Sequence, residues 1–364
     1  MKKNPNARLW LKLAALALPV LLLGTFLVLR ACKKDASPFP DLTQPSLAPT
    51  TEPTTLPPPS ALNPLTGLPM RDKKAQGKRP FVCMVNNAPP ARPQWGLCAA
   101  DIVLEGLVEG GTTRMLWMFA DVRDMPKIGP IRSARHDFAE LASGLDAVYI
   151  HWGGSPQAYD TIAAQKISNI NGMKGEGSTF HRDKTRKVSL EHRGYTTGKD
   201  IQKAMENQKI RTAAAENRAE PFVFAPADNP RTLSGGAAAS VSFRFSQSFR
   251  YSFAYDKKTK LYAQSMNEKP FLQDGGEQRT VTNVVLLYLN FRVLDEKGRV
   301  DMDLSEGEGL YLSGGKQENI RWKKGAAANP LQLLTAGGEP LTLNAGQSYI
   351  GLVPKGQQGK TIVK

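Results

Sequence analysis

Five arginines carry the clearest chemical potential in this chain: Arg114, Arg132, Arg135, Arg182 and Arg186. A guanidinium presents a planar fork of donors that matches phosphate or carboxylate. Arg132 and Arg135 lie in the run GPIRSAR at 129–135, just ahead of Phe138, Leu141 and Leu145. With Ala134, those apolar residues have helical spacing. Ser133 reads as the N-cap of that helix, its hydroxyl accepting from an orphan backbone N–H. Next comes a β-prone run, Ala147 to Trp152, which breaks at Gly153-Gly154. Ser155-Pro156 then opens a second helix carrying Ala158, Tyr159, Ile162 and Ala163 on one side. A strand, a glycine pair and a helix N-terminus together form a place where free N–H groups can hold an anion. His151 stands at the strand end, where α/β folds place ligand contacts. The expected site is therefore an anion pocket built from Arg114, Arg132, Ser133, Arg135, His151, Gly153, Gly154, Ser155, Arg182 and Arg186.

Residues for catalysis are fewer. Ser133 and Ser155 could act as nucleophiles, yet both are explained as caps. His136 could be a general base, but it lies four residues before Glu140, the spacing of an ordinary helix-surface pair. Asp121, Asp124, Asp137 and Asp183 could ligate a metal, and none stands in a diagnostic pattern. Asp301, Asp303, Glu306 and Glu308 form an acidic loop without the spacing of an EF-hand, and it reads as a solvated turn. There is no complete triad, phosphate loop or paired-carboxylate signature. No metal and no cofactor are expected, with Mg2+ entering only if the chain transfers or hydrolyses phosphate. Whether the chain is an enzyme is left open.

Two ambiguities concern charge in structured segments. Arg114 sits inside the apolar run Thr113 to Phe119; it either faces a ligand or pairs across strands with Glu105 or Glu109. The basic loop at 180–187 is either a solvated surface or a second wall of the pocket, with Arg182 and Asp183 anchored behind Phe180.

The chain has 364 residues, more than one core usually supports, so two globular domains are expected. Its formal charge is +15. Residues 1–34 supply seven positive and no negative residues, about half of that excess. The remainder suits an anionic membrane or wall partner without demanding nucleic acid, and no nucleic-acid-binding motif stands out.

Lys2, Lys3, Arg8 and Lys12 precede an apolar run, Leu13 to Leu29, and Arg30, Lys33 and Lys34 follow it. Residues 1–34 thus read as an export leader. In one version Cys32 closes a lipobox and is lipidated; in the other the segment stays as a single-pass anchor. Either way the rest of the chain sits on the extracytoplasmic face, tethered to the membrane. Residues 35–60 hold repeated Pro with Thr and Ser, a spacer. Cys83 and Cys98 either form one disulfide, as an extracytoplasmic compartment permits, or are small buried apolar residues.

Behind the spacer, strand-like runs at Phe81 to Asn86, Ile102 to Val108 and Thr113 to Phe119 precede the two helices, and Thr197 to Asp200 looks like a capping box opening a third. Short alternating runs then follow at Val241–Phe245, Phe249–Tyr255, Leu261–Gln264, Val284–Phe291, Gly309–Leu312, Asn319–Trp322, Leu331–Leu334 and Tyr349–Val353. The expected architecture is an α/β N-terminal domain over 61–215, a mixed sheet with flanking helices, and a β-rich C-terminal domain over 216–364.

Several runs together closely resemble the YerB-like family of surface lipoproteins: NPLTGLP at 63–69, RPFVCMVNN, ARPQWGL, ADIVLEGLVEGGTTR, GPIRSAR, HWGGSPQA and FHRDKTRK. Trp322-Lys323-Lys324 and the ending GQSYIGLVP look like that family's C-terminal domain. The resemblance implies a membrane tether, usually through a lipidated Cys, here Cys32, although Arg30 departs from the small residue usual in a lipobox. It implies little about activity. A more distant likeness, in the order of strand, Arg-rich turn, Gly-Gly and helix, is to the LytR-CpsA-Psr family, which transfers wall glycopolymers from polyprenyl pyrophosphate. That family's magnesium-binding Asp-Thr and Arg-Asp pairs are not reproduced at Thr113-Arg114 or Arg132-Ser133. Three functions are carried forward: a tethered envelope protein binding an anionic, phosphorylated ligand that is lipid-linked or part of the wall; a phosphotransferase or hydrolase acting on polyprenyl-linked precursors; and a protein–protein scaffold at the cell surface.

Overall fold

The structure, a computed structural model, describes residues 61–364 apart from 217, 219 and 221. The leader, Cys32 and the spacer at 35–60 lie outside the described residues. In the first half, strands β1 (Phe81–Asn86), β2 (Ile102–Leu107), β3 (Thr113–Phe119), β5 (Val148–His151) and β6 (Asn169–Asn171) belong to the main sheet. Three short strands, β4 (Lys127–Ile128), β7 (His181–Arg182) and β8 (Gly194–Thr197), form a separate small sheet in the order β4, β8, β7. The helices are α1 (His136–Gly144), α2 (Pro156–Ala164), α3 (Gly172–Gly175) and α4 (Gly198–Asn207).

The main sheet has ten strands and runs through both halves of the chain. Its order is Gln332–Thr335, Lys316–Lys323, Glu306–Ser313, Asn283–Leu289, Ser348–Pro354, β2, β3, β1, β5 and β6. It is mixed: β1 is antiparallel to β3 and parallel to β5, and β2 lies parallel to Ser348–Pro354. That last pairing, from Ile102 opposite Ser348 to Gly106 opposite Leu352, joins the α/β half to the β-rich half.

Because side chains alternate along a strand, the sheet has two apolar faces, and both are covered. Cys83, Val85, Met115 and Trp117 share one core with Phe243, Tyr251 and Phe253 of a second, six-stranded sheet. There the Phe253 and Tyr349 rings stand 4.9 Å apart between centroids. Val82, Met84, Leu116 and Met118 point the other way, into a core with Phe138 and Leu141 of α1 and Ile162 of α2. Burial on both sides is why β1 over Phe81–Val85 and β3 over Met115–Phe119 read as unbroken apolar runs. Each fully buried Phe of this kind contributes roughly 1.5–3 kcal/mol.

Two element expectations change. The run Val284 to Phe291 divides: the sheet strand ends at Leu289, and Phe291–Val293 pairs instead with Val300–Met302 in a separate hairpin. Helix α1 starts at His136, with Arg135 as its N-cap residue and no side-chain cap bond, so Ser133 caps nothing. The reason is tertiary: Ala134 is bridged to Gly154, and this holds the residues before the helix extended. Among the described residues, no helix is long and apolar enough to cross a membrane.

Candidate functional site

Backbone hydrogen bonds build the site. Arg132 N–H donates to the Met84 carbonyl at 2.7 Å, and Trp152 N–H donates to the Arg132 carbonyl at 2.9 Å. Ala134 N–H donates to Gly153 O (2.9 Å), and Ser155 N–H returns to Ala134 O (3.2 Å). The strap 131–134 is thus clamped along the end of β5, which brings Arg132 and Ser133 beside the glycine pair. Gly153 turns the chain with φ of +74°, a conformation glycine adopts at little cost. Helix α2 follows with the expected cap: Ser155 Oγ accepts from Ala158 N–H at 3.1 Å, and Pro156 is the first helical residue.

These pieces line an open cleft of about 460 Å³ with Arg132, Ser133, Gly153 and Gly154 on one side and Arg182, Leu190 and Glu191 on another. Arg182 arrives on β7, and its guanidinium carbon stacks 4.3 Å from the centroid of the Trp152 ring. Gly194 of β8 lets this wall close in, since a Cβ there would come within 2.8 Å of the indole. Both cleft arginines have exposed counter-ions. Arg132 meets Glu191 at 2.8 Å, and Arg182 meets Glu176 at 2.5 Å; the two glutamate side chains are 50 % and 52 % exposed. Arg182 also donates to the Leu190 carbonyl at 2.7 Å. The mouth is apolar, with Tyr159, Met173 and Leu190 all exposed.

Other expected members lie elsewhere or are already engaged. Arg135 donates to Glu109 at 2.5 Å, and Arg114 stands 3.7 Å from the same carboxylate. Burial and the neighbouring Arg135 charge push Arg114 down to about 9. Glu109 is held below its usual range: burial works against this, but the two arginines outweigh it. Arg114 also donates to the Ser133 carbonyl at 2.5 Å, so it supports the strap from behind. Arg114 therefore pairs with Glu109, and Glu105 faces the opposite core. His151 is fully buried between Gly153 O (2.7 Å) and Asn169 Oδ1 (3.2 Å), and burial holds its pKa down. Gly153 N–H is taken by Asn171 Oδ1 at 3.0 Å, and the Ser155 hydroxyl by its cap. Arg186 lies over Trp95, 3.7 Å from the ring centroid, and donates to the carbonyls of Ala91 and Pro93. Cys83 and Cys98 are free thiols, Cys83 buried within β1 and Cys98 half-buried, so the disulfide alternative does not hold.

Two groupings were not legible in the chain. Glu105 is fully buried and accepts from Asn87 Nδ2, Tyr251 OH and Tyr349 OH, each at 2.8 Å, and from the Thr113 hydroxyl. Desolvation still wins and pushes its carboxyl up to about 7. His136 does not pair with Glu140; it lies 2.9 Å from Asp301 and 3.2 Å from Asp137. Asp301 is 165 residues away in the sequence, inside the loop read as solvated.

The fold is found in known proteins. Residues 65–211 match the N-terminal domain, and residues 241–350 the C-terminal domain, of the family described as "Protein of unknown function (DUF3048)". The chain is 32% identical over 295 residues to "Putative lipoprotein YerB" of Bacillus subtilis (strain 168), covering 80% of this chain and 86% of that protein. The chain belongs to the YerB-like DUF3048 family. The crystal structure of YerB from Bacillus subtilis superposes with a TM-score of 0.72 at 28% identity, over 83% of this chain and 99% of that one. The two family domains thus meet in the shared ten-stranded sheet, with the cleft on the N-terminal domain. The likeness to the LytR-CpsA-Psr family rests on motif order alone.

Proposed function

We propose that this DUF3048 protein is a surface lipoprotein on the extracytoplasmic face of the membrane, which holds an anionic, phosphorylated ligand in the cleft between Arg132 and Arg182. One observation carries the reading: two arginines from distant segments line the same cleft of about 460 Å³, and among the described residues each has one half-exposed glutamate as its counter-ion. Surface ion pairs of that kind are worth ~0–1 kcal/mol, so an incoming phosphate displaces them at small cost. A charge-assisted bond to phosphate is stronger, about 1.5–3 kcal/mol. The volume suits a small headgroup. The apolar mouth formed by Tyr159, Met173 and Leu190 suits a ligand with a hydrocarbon portion, such as a lipid-linked phosphate. The tether through Cys32 is supported by the relative described as a lipoprotein. The phosphotransferase reading would need several carboxylates grouped to hold Mg2+, whereas among the described residues lining the cleft there is one, Glu191.

The test uses the full chain and vesicles of a neutral phospholipid with or without a polyprenyl phosphate, alongside a soluble anionic wall polymer. Arg132→Ala and Arg182→Ala should each weaken binding about 10- to 100-fold while leaving the melting temperature near wild type. Binding unchanged in both variants, or no binding by the wild type to either probe, refutes the cleft and leaves the scaffold reading. Intact-mass measurement of the membrane-bound chain should show the leader removed and a lipid on Cys32; an unlipidated chain that keeps residues 1–31 would mean an uncleaved anchor.

A further inference from the structure

We infer that the structure holds a divalent transition-metal site formed by His136, Asp137 and Asp301, separate from the cleft. One donor atom from each of the three lies within 4.8 Å of the other two. His136 Nε2 is 2.9 Å from Asp301 Oδ1 and 3.2 Å from Asp137 Oδ1. An ion bound at 2.0–2.1 Å in tetrahedral geometry needs donors roughly 3.3 Å apart, so these atoms need to move little to accept one.

A second observation points to a ligand. Asp137 is 2 % exposed, its Oδ1 accepts from Met302 N–H at 3.0 Å, and its Oδ2 has no hydrogen-bond partner. Buried carboxylate oxygens rarely go unpaired, and this one belongs to the carboxyl group whose other oxygen stands 3.2 Å from the His136 imidazole, so the group retains acceptor capacity for a cation. A single histidine proton shared between two carboxylates satisfies only part of that group. A divalent ion balances the charge of the set, since two carboxylates and a neutral imidazole with it carry no net charge. The donors, one nitrogen and two oxygens, suit Zn2+ or Mn2+ better than Mg2+ or Ca2+. Arg292, 2.6 Å from Asp301 Oδ2, competes for one oxygen, but its side chain is 77 % exposed and can turn away. Three protein donors leave room for water.

The placement assigns a role. His136 and Asp137 open α1 in the N-terminal family domain, while Asp301 stands in the hairpin strand Val300–Met302 of the C-terminal half. The ion would clip that hairpin to the helix.

Zn2+ is titrated into the metal-stripped full chain by calorimetry, and melting is followed in parallel. One saturable equivalent is expected, with a raised melting temperature. Asp301→Asn and His136→Ala should each weaken binding at least about a hundredfold. His181→Ala, at a histidine 3.2 Å from Asp200 and outside the group, should leave binding unchanged. If either ligand variant fails to fold, the other serves alone, since each removes one donor. No saturable binding of Zn2+ or Mn2+ to the wild type, binding that survives ligand substitution, or binding lost in His181→Ala overturns the site.

Discussion

Glu105 offers the sharpest quantitative test of the fold. Its carboxylate is the joint where β2, the strand Phe249–Asp256 and the strand Ser348–Pro354 meet, through Tyr251 and Tyr349 at 2.8 Å. Burial raises its pKa from 4.5 to about 7, against the opposing pull of four donors. In the unfolded chain the group titrates at its ordinary value. Between those two values the native state binds more protons than the unfolded state, so stability falls as pH rises. The contribution is complete below the unfolded value and is lost once pH passes the folded one. The separation corresponds to roughly 3 kcal/mol. Glu105→Gln keeps the shape and removes the titration, although its amide is a poorer partner for three hydroxyls. The assay is urea unfolding of both proteins at about pH 5 and about pH 8, with extrapolation to water. The wild type should lose roughly 3 kcal/mol more than Glu105→Gln over that interval. Other buried acids, such as Asp101, raised by burial to about 6, are present in both proteins and cancel in the difference. Equal pH slopes would show that Glu105 titrates alike in both states and would refute the reasoning.

Ser155→Ala should cost about 1 kcal/mol in denaturant unfolding, because it removes the α2 cap and leaves Ala158 N–H unpaired. A loss near zero would mean that water replaces the hydroxyl at that buried position. Gly144→Ala should destabilise by about 1–3 kcal/mol, since the new Cβ would stand 2.2 Å from the Asn329 carbonyl oxygen and force the 329–330 segment away. A wild-type unfolding midpoint would contradict that packing. Neither Cys83 nor Cys98 should alkylate readily in the native chain at mildly alkaline pH. Burial pushes Cys83 far above its usual range and Cys98 up to about 11. Mass spectrometry of the trapped, unreduced chain should show both as free thiols, and a cystine peptide would overturn the assignment.

Strands whose two faces are both buried were legible because that environment selects unbroken apolar runs; Phe81–Val85 of β1 and Met115–Phe119 of β3 are the clear cases. The α2 start was legible because a Ser cap with Pro inside depends only on residues within one turn. The α1 start was not, because a bridge from Ala134 to Gly154 overrides the local signal at Ser133. Of the expected anion pocket, Arg132, Ser133, Gly153, Gly154 and Arg182 line one cleft. Arg114 and Arg135 do not, because both turn to Glu109 behind the strap, a partner that cannot be chosen from spacing.

By itself, the amino-acid order determined the two-part organisation, the strand and helix types and the family, since each rests on composition, periodicity or runs of neighbouring residues. Only the tertiary structure decided which charges meet. It set Arg132 and Arg182 around one opening, gave Glu105 its tyrosines, and brought Asp301 to His136. The physical reason is that side-chain charge acts over a few ångströms, while the residues concerned stand up to 244 positions apart and become neighbours only when the sheets close.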